Sequence, residues 1–171
     1  RVLFRSFLFI YLCFNSYSQN VEVQLSPDVN DEFAYPEVFG INENSFFAIS
    51  SKSEKEFYIE NITNKELRRV FKRQIELPQI DEKFNVFENI LYFNSHIYLF
   101  STHHDKKLRK YVLYVNEIKP NGELSLNHTV VDEVMFGDKN YYCKYTIKLS
   151  TDSNRVLVFR ETSESDAAKG K

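Results

Sequence analysis

One alternating pattern occurs twice in this chain of 171 residues, and it restricts the folds that the chain can adopt. Apolar and polar residues alternate through Ile90–Thr102 ("ILYFNSHIYLFST") around a polar pair, Asn94 and Ser95. A similar phrase, Val38–Ser50 ("VFGINENSFFAIS"), occurs about fifty residues earlier. Strict alternation is typical of half-buried β-strands, because successive side chains of an extended backbone point to opposite faces. The pattern therefore predicts an all-β protein built from repeated units.

Four predicted strands, including the two of the segment Ile90–Thr102, form one unit of about fifty residues. Asn94 and Ser95 suit a tight hairpin between the first two strands. The charged segment His103–Lys110 ("HHDKKLRK") indicates a solvated turn, and Lys119–Leu124 ("KPNGEL") contains the proline and glycine that favour another turn. The expected strands are Asn85–Phe93, His96–Thr102, Tyr111–Ile118 and Ser125–Val134.

The same order of strands fits other parts of the chain. Ser45–Ser50 ("SFFAIS") matches His96–Ser101 ("HIYLFS") in pattern. A third copy begins with a predicted strand at Tyr141–Leu149, turns at Ser150–Asn154 and continues at Arg155–Glu161. We therefore expect two four-stranded antiparallel units and one partial unit followed by a polar tail, at residues 35–84, 85–137, 138–162 and 163–171 respectively.

Residues 64–77 allow a second interpretation. Apolar residues in this segment recur at the spacing of one helix face, namely Leu67, Val70, Phe71 and Ile75. With Asn64 as the N-cap, this spacing predicts a helix. The matching segment of the second unit, Ser125–Val134, is rich in β-branched residues and favours a strand. The sequence leaves both structures open for this segment.

Four-stranded repeats of this length are typical of β-propellers. The segment Leu149–Asn154 ("LSTDSN") resembles the "SPDG" turn of WD40-like and TolB-like blades, with Thr151 in place of the proline and Ser153 in place of the glycine. The resemblance covers about residues 35–162 and implies blades that stack face to face. A closed propeller has roughly four or more blades. The resemblance therefore implies a longer protein that continues past Lys171.

A smaller fold is the alternative if the 171 residues are the whole protein. The units would then form a β-sandwich, or an open meander that dimerises through its edge strands. Edge strands rich in Phe and Tyr would otherwise pair between molecules and aggregate.

The first eighteen residues have the features of a secretory signal peptide. Arg1 and Arg5 precede a short apolar run, Phe7–Phe14, and small residues follow before Gln19. A membrane anchor is disfavoured, because the run is much shorter than the roughly 20 residues that span a bilayer. A lipoprotein signal at Cys13 is disfavoured too, since Leu12 fills a position where a small residue is expected. We expect cleavage after residue 18, a short N-terminal segment at 19–34, and a secreted or periplasmic protein without stable membrane insertion.

Charge and cysteine content restrict the partners of the exported chain. Removing residues 1–18 leaves 20 basic against 24 acidic residues, a net charge of −4. This balance disfavours nucleic acid, which needs an excess of cations on one face. The single remaining cysteine, Cys143, cannot form an internal disulfide. It lies in an aromatic strand-like run and is expected to be a buried, unreactive thiol.

No stretch of the sequence shows a recognisable catalytic, cofactor-binding or metal-binding constellation. The most metal-like group is His103, His104 and Asp105, but neighbouring strand residues point to opposite faces and four basic residues follow, which favours a solvated turn. His96 and His128 are isolated and are interpreted as surface or hydrogen-bonded strand residues.

The remaining polar candidates also have structural explanations. Asp152 and Asn154 suit turn hydrogen bonds better than a calcium site. Acidic neighbours such as Asp81 with Glu82, and Asp132 with Glu133, are adjacent in sequence and do not predict a catalytic pair across a cleft. Two short glycosylation sequons start at Asn61 and Asn127.

The absence of catalytic motifs favours an exported β-propeller-like binding or scaffold module, whose loops contact a protein, a peptide or a glycan. The alternative is part of an exported propeller enzyme, a carbohydrate-active hydrolase or lyase whose catalytic residues lie in blades beyond this chain. A fold alone does not decide between these functions. A structural fragment without a function of its own is the third interpretation.

Overall fold

The computed structural model describes residues 37–53, 56–136 and 141–164. In this part of the chain every regular element is a β-strand and none is a helix, which confirms the all-β prediction. The predicted signal peptide, the segment 19–34 and residues 165–171 of the tail lie outside the described residues. The first two residues of the expected tail, Ser163 and Glu164, belong to the last strand.

The described strands are numbered β1 to β12 in chain order. The first sheet region contains β1 (Glu37–Ile41), β2 (Ser45–Ser53), β3 (Glu56–Thr63) and β4 (Arg69–Ile75). A short hairpin follows, made of β5 (Gln79–Ile80) and β6 (Lys83–Phe84). The second region contains β7 (Val86–Phe93), β8 (His96–Asp105), β9 (Lys110–Ile118) and β10 (Leu124–Met135), and the third contains β11 (Tyr141–Leu149) and β12 (Val156–Glu164).

Strands that are neighbours in sequence pair antiparallel. Sheet 1 has the order β1-β2-β3-β4, sheet 2 has the order β7-β8-β9-β10, and β11 pairs with β12 in sheet 3. Two four-stranded antiparallel sheets are therefore present, as predicted, and the two strands expected after residue 140 pair with each other. Across the described residues the sheets remain separate, since no strand ladder joins one sheet to another.

The hairpin between β7 and β8 has the tight turn that the sequence predicts. Asn94 and Ser95 have φ angles of +49° and +65°, and the flanking residues Phe93 and His96 pair across the ladder. Two consecutive positive φ angles define a type I′ turn, whose twist matches that of the strands it joins. The polar pair thus fixes the register of the following strand.

The strand interpretation of residues 64–77 is confirmed, and the helical one is wrong. Residues 69–75 form β4, which pairs with β3 along its length, with Ile59 opposite Arg73. Pairing with β3 and burial of Ile75 and Leu77 in the core outweigh the local helical spacing. Tertiary packing commonly overrides such weak propensities.

One apolar core lies between sheet 1 and sheet 2. Sheet 1 contributes Phe47 and Ile59, and sheet 2 contributes Ile90 and Leu99. Leu99 is 0% exposed, so its whole side chain is removed from water. Burial of a leucine of this size stabilises a fold by about 1.5–3 kcal/mol.

A second apolar core lies on the opposite face of sheet 2. Phe100 and Leu113 of sheet 2 pack there with Cys143, Tyr145 and Ile147 of β11. Because Leu99 and Phe100 are adjacent on β8, their side chains point to opposite faces. Sheet 2 is therefore packed on both faces, and the sheets stack in the order 1, 2, 3.

The first strands of the three sheets lie next to one another, since β7 contacts β1 on one side and β11 on the other. Gly40 of β1 faces Tyr92 of β7 so closely that a Cβ atom at position 40 would clash with the tyrosine side chain. Only glycine permits this approach without movement of one strand. The row of first strands sets the spacing between neighbouring sheets.

Replacing Leu99 by Ala should lower the free energy of unfolding by about 2–5 kcal/mol, because it leaves a cavity between sheets 1 and 2. Leu126 of the same sheet is 96% exposed and provides the matched control. Leu126→Ala should change stability by less than about 0.5 kcal/mol. Urea unfolding of both variants measures the difference, and equal effects would contradict the burial of Leu99 between sheets 1 and 2.

Candidate functional site

A cleft of about 980 Å³ opens at one end of sheets 1 and 2. Three segments border it: the ends of β2 and β3, the chain that leaves β4, and the β6–β7 junction. Loops and links on a rigid sheet scaffold are common places for binding residues. We refer to this surface as the cleft; its apolar lining includes Phe57, Ile75, Leu77, Phe84, Val86 and Phe87.

Two stacked phenylalanines form a contact between the two sheets inside the cleft. The rings of Phe57 on β3 and Phe87 on β7 lie 4.5 Å apart between centroids. Phe84 and Val86 are 58% and 64% exposed, although both are large and apolar. A contiguous exposed apolar surface in a concave site commonly marks a binding surface.

The β5–β6 hairpin carries Phe84 to the cleft. Its turn residues, Asp81 and Glu82, both have positive φ angles, +50° and +63°. Asp81 and Glu82, which are acidic neighbours in the sequence, therefore form the tight turn of this hairpin. This hairpin was not predicted, because two-residue strands are too short to show alternation.

Asn85 anchors the hairpin to sheet 2. Its backbone N–H donates to the carbonyl of Pro78, and its side-chain Nδ2 donates to Ser101 Oγ on β8 at 3.1 Å. The side chain is buried, and its Oδ1 atom has no hydrogen-bond partner in the described part of the chain. A buried acceptor without a partner costs about 1–3 kcal/mol. The position of the hairpin thus depends on a polar contact beneath the cleft.

A second cleft, of about 940 Å³, lies on the other side of the chain that leaves β4. Phe84 and residues 74–77 border both clefts. Arg73 of β4 forms an ion pair with Glu123, which joins sheet 1 to the turn after β9. Both partners of this pair are well exposed, so solvent screens it. Among the described residues that line the second cleft, no two aromatic rings stack on each other, in contrast to Phe57 and Phe87 in the first.

The solvated-turn interpretation is wrong for His103 and His104. Strand β8 continues through Asp105, and His103 is buried opposite Val112 of β9. The ring of His104 stacks on that of Tyr111 at 4.3 Å, and burial lowers the pKa of His104. The charged residues that follow form the turn. The strand is longer than expected because β9 offers pairing partners for all three residues.

Adjacent residues of this group face opposite sides of β8, as predicted. Asp105 Oδ1 accepts hydrogen bonds from the backbone N–H groups of Leu108 and Lys107, each at 2.9 Å. These bonds lower the pKa of Asp105. The carboxylate therefore closes the β8–β9 turn.

The other polar residues discussed for the sequence make local contacts within turns and between strands, or lie on the strand surface. Asp152 accepts hydrogen bonds from Ser150 and Asn154 within the β11–β12 turn, as predicted. His96 lies 2.6 Å from Glu117 through its Nδ1 atom, and His128 contacts the edge of a tyrosine ring. Of the two sequons, Asn127 is exposed whereas Asn61 lies partly buried on β3 between β2 and β4.

Cys143 is buried in the second core, as predicted, and burial raises the pKa of its thiol. Its neighbours include residues that the sequence did not single out. Tyr145 donates a hydrogen bond to Asp132 at 2.9 Å, and Arg160 of β12 forms an ion pair with the same carboxylate. This network joins sheet 2 to sheet 3. Nothing in the sequence indicates it, since its members are widely separated.

Glu88 also faces the region between sheets 2 and 3. Thr102 Oγ1 donates a hydrogen bond to Glu88 Oε1 at 2.7 Å. Burial raises the pKa of the Glu88 carboxyl, and the Thr102 bond opposes that rise with a smaller effect. Glu88 lies at a bulge in β7, where the register shifts between Phe87 and Asn89. Bulges commonly redirect a side chain.

The chain matches no protein-family model, and comparisons with curated proteins and with solved structures find no match. Within residues 37–53, 56–136 and 141–164, no group of three or more His, Cys, Asp or Glu side chains is arranged to hold a metal ion. The same described residues contain no helix long and apolar enough to cross a membrane.

Replacing Glu88 by Gln should change the pH dependence of stability. A carboxyl with a raised pKa in the folded state stabilises the fold below its unfolded pKa, and that contribution is lost as the pH rises through the folded pKa. The stability of Glu88→Gln relative to the unaltered protein should therefore increase as the pH rises above the ordinary Glu pKa of about 4.3. Urea unfolding at several pH values tests this, with the exposed Glu43→Gln as control. Parallel pH profiles for Glu88→Gln and the unaltered protein would contradict it.

Proposed function

We propose that this chain is part of an exported β-propeller-like binding or scaffold module, and that the cleft binds a peptide segment of a protein partner. The observation that carries the proposal is the exposed apolar surface of the cleft, centred on Phe84 and Val86. Export rests on the signal-like pattern of residues 1–18.

Three features support the propeller architecture. Each complete unit is a four-stranded meander, neighbouring sheets pack face to face, and their first strands lie in a row. The turn that resembles "SPDG" has Ser153 at the glycine position, and Ser153 has a φ angle of +54°. Glycine is favoured at such a left-handed position, so the resemblance extends to backbone conformation.

The lining of the cleft favours a peptide over a glycan. Phe57 and Phe87 form its stacked floor, and Ile75 and Leu77 add aliphatic walls. A sugar ring would bring hydroxyl groups against these walls, where they would lose hydrogen bonds to water. An apolar side chain gains from the same burial.

Charges at the rim suit the rest of a peptide. Glu76, Glu82 and Lys83 border the cleft and carry both signs. Gln74, Ser51 and Ser53 add polar groups able to contact a peptide backbone. Apolar pockets with a few polar groups at their margin are typical of ligand sites.

A titration with N-acetyl-phenylalanine amide tests the cleft as a site for apolar peptide side chains. In ¹H–¹⁵N NMR spectra the amide signals of cleft residues should shift on addition of the probe. Phe84→Ala should weaken binding by about threefold or more, because the variant loses apolar contact comparable to the burial of roughly one or two methylene groups. Phe159→Ala is the matched control, because Phe159 is 54% exposed and lies on sheet 3.

Two results would oppose the proposal. One is binding of the amide probe that Phe84→Ala leaves unchanged. The other is a stronger response of the same signals to methyl β-glucoside, which would assign the cleft to a glycan.

A further inference from the structure

The charged side chains that border the cleft are mostly carboxylates. Glu76 and Glu82 are both exposed, and neither has an ion-pair partner in the described part of the chain. Lys83 is the third charged residue of the lining, so the rim carries two negative charges and one positive charge. Charges of opposite sign on a ligand complement such a rim. The rim therefore favours a cationic group over an anionic one.

Asn85 provides a further acceptor at the same place. It borders the cleft and is 3% exposed, and its Nδ2 already donates to Ser101 Oγ at 3.1 Å. Its Oδ1 has no hydrogen-bond partner among the described residues. A buried acceptor without a donor is unfavourable, and a ligand that brings an N–H group to it removes that cost. The unpaired groups of the cleft are thus predominantly acceptors.

Phe84 presents an aromatic face next to these acceptors. It precedes Asn85 in the chain and follows Glu82 by two residues, and its ring is 58% exposed. Glu76 and Phe84 border both clefts, so they lie on the wall that separates one cleft from the other. A cation over an aromatic face is attracted by the negative potential of the ring. Ring, carboxylates and amide oxygen therefore suit the same ligand group.

Among protein side chains, the guanidinium of arginine matches this combination best. It carries N–H donors and no acceptor, so it leaves none of its own acceptors unpaired in the cleft. It is planar, stacks on aromatic faces and is more weakly hydrated than the ammonium of lysine. An indole also donates without accepting, but it brings no charge to Glu76 and Glu82.

We infer that the peptide bound in the cleft carries an arginine beside its apolar anchor residue. The anchor packs against Phe57 and Phe87. The guanidinium stacks on Phe84 and donates hydrogen bonds to the carboxylates of the rim and to Asn85 Oδ1. This inference rests on the function proposed for the cleft and names the residue that the cleft selects.

Three capped dipeptides separate the charge of the ligand from its shape. The test probe is N-acetyl-Phe-Arg amide. N-acetyl-Phe-citrulline amide is the matched control, because citrulline keeps the size of arginine but has a neutral urea group that includes an acceptor. N-acetyl-Phe-Glu amide carries the opposite charge. Titration of the full chain, followed in ¹H–¹⁵N NMR spectra, gives the affinity for each probe.

The arginine probe should bind about threefold or more tighter than the citrulline probe, the gain expected from an exposed ion pair together with a cation–π contact. The glutamate probe should bind most weakly. Raising the ionic strength from about 0.05 M to about 0.5 M should reduce the preference for arginine, since salt screens exposed charges.

Variants of the chain locate the recognition. Glu82→Gln and Glu76→Gln should each reduce the preference for arginine over citrulline. Glu43→Gln is the matched control, because Glu43 is exposed in the turn before β2, whereas the cleft lies at the other end of that strand. Phe84→Leu removes the ring face but keeps an apolar side chain, and it should also lower the preference for arginine.

Three results would overturn the inference. The first is equal affinity for the arginine and citrulline probes. The second is tighter binding of the glutamate probe, which would assign the rim to an acidic peptide through Lys83. The third is a preference for arginine that neither Glu82→Gln nor Glu76→Gln reduces. N-acetyl-phenylalanine amide distinguishes the two proposals: if it binds and arginine adds nothing, only this inference fails, whereas absence of binding by every probe removes the function proposed for the cleft as well.

Discussion

The burial of both faces of sheet 2 is the constraint on which the rest of the structure depends. Leu99 and Phe100 are adjacent in β8, yet one packs against sheet 1 and the other against sheet 3. A slip of one residue in the pairing of β8 would exchange the two sets of side chains and disrupt both cores at once. The register of the central sheet is therefore specified from two sides, and it positions the sheets that flank it.

The two-sided packing also explains where open surfaces remain. Sheets 1 and 2 meet along their apolar faces, but the link between β4 and β7 must cross from one sheet to the other. The β5–β6 hairpin lies in this crossing, and Asn85 holds it against Ser101. Phe84 at the end of this hairpin borders both clefts and is exposed there. The cleft is thus a consequence of how two stacked meanders are connected.

Much of this fold can be predicted from the sequence, because the alternation of apolar and polar residues indicates strands directly. The hairpin at Asn94 and Ser95 and the burial of Cys143 follow from patterns of a few residues. The extent of β8 does not, since charged and histidine residues after Thr102 suggest a turn when their partners on β9 are unknown. The helical spacing of residues 64–77 misleads for the same reason, because pairing with β3 decides the structure.

The candidate sites are harder to predict because their residues are common and distant in sequence. The chain contains 16 Phe and 11 Tyr, so no local signal distinguishes Phe57, Phe84 and Phe87 from the phenylalanines of the core. Only the stacking of sheets separates an aromatic residue that fills a core from one that borders a cleft. In a stacked fold of this kind, packing between units therefore decides which apolar residues remain available to a partner.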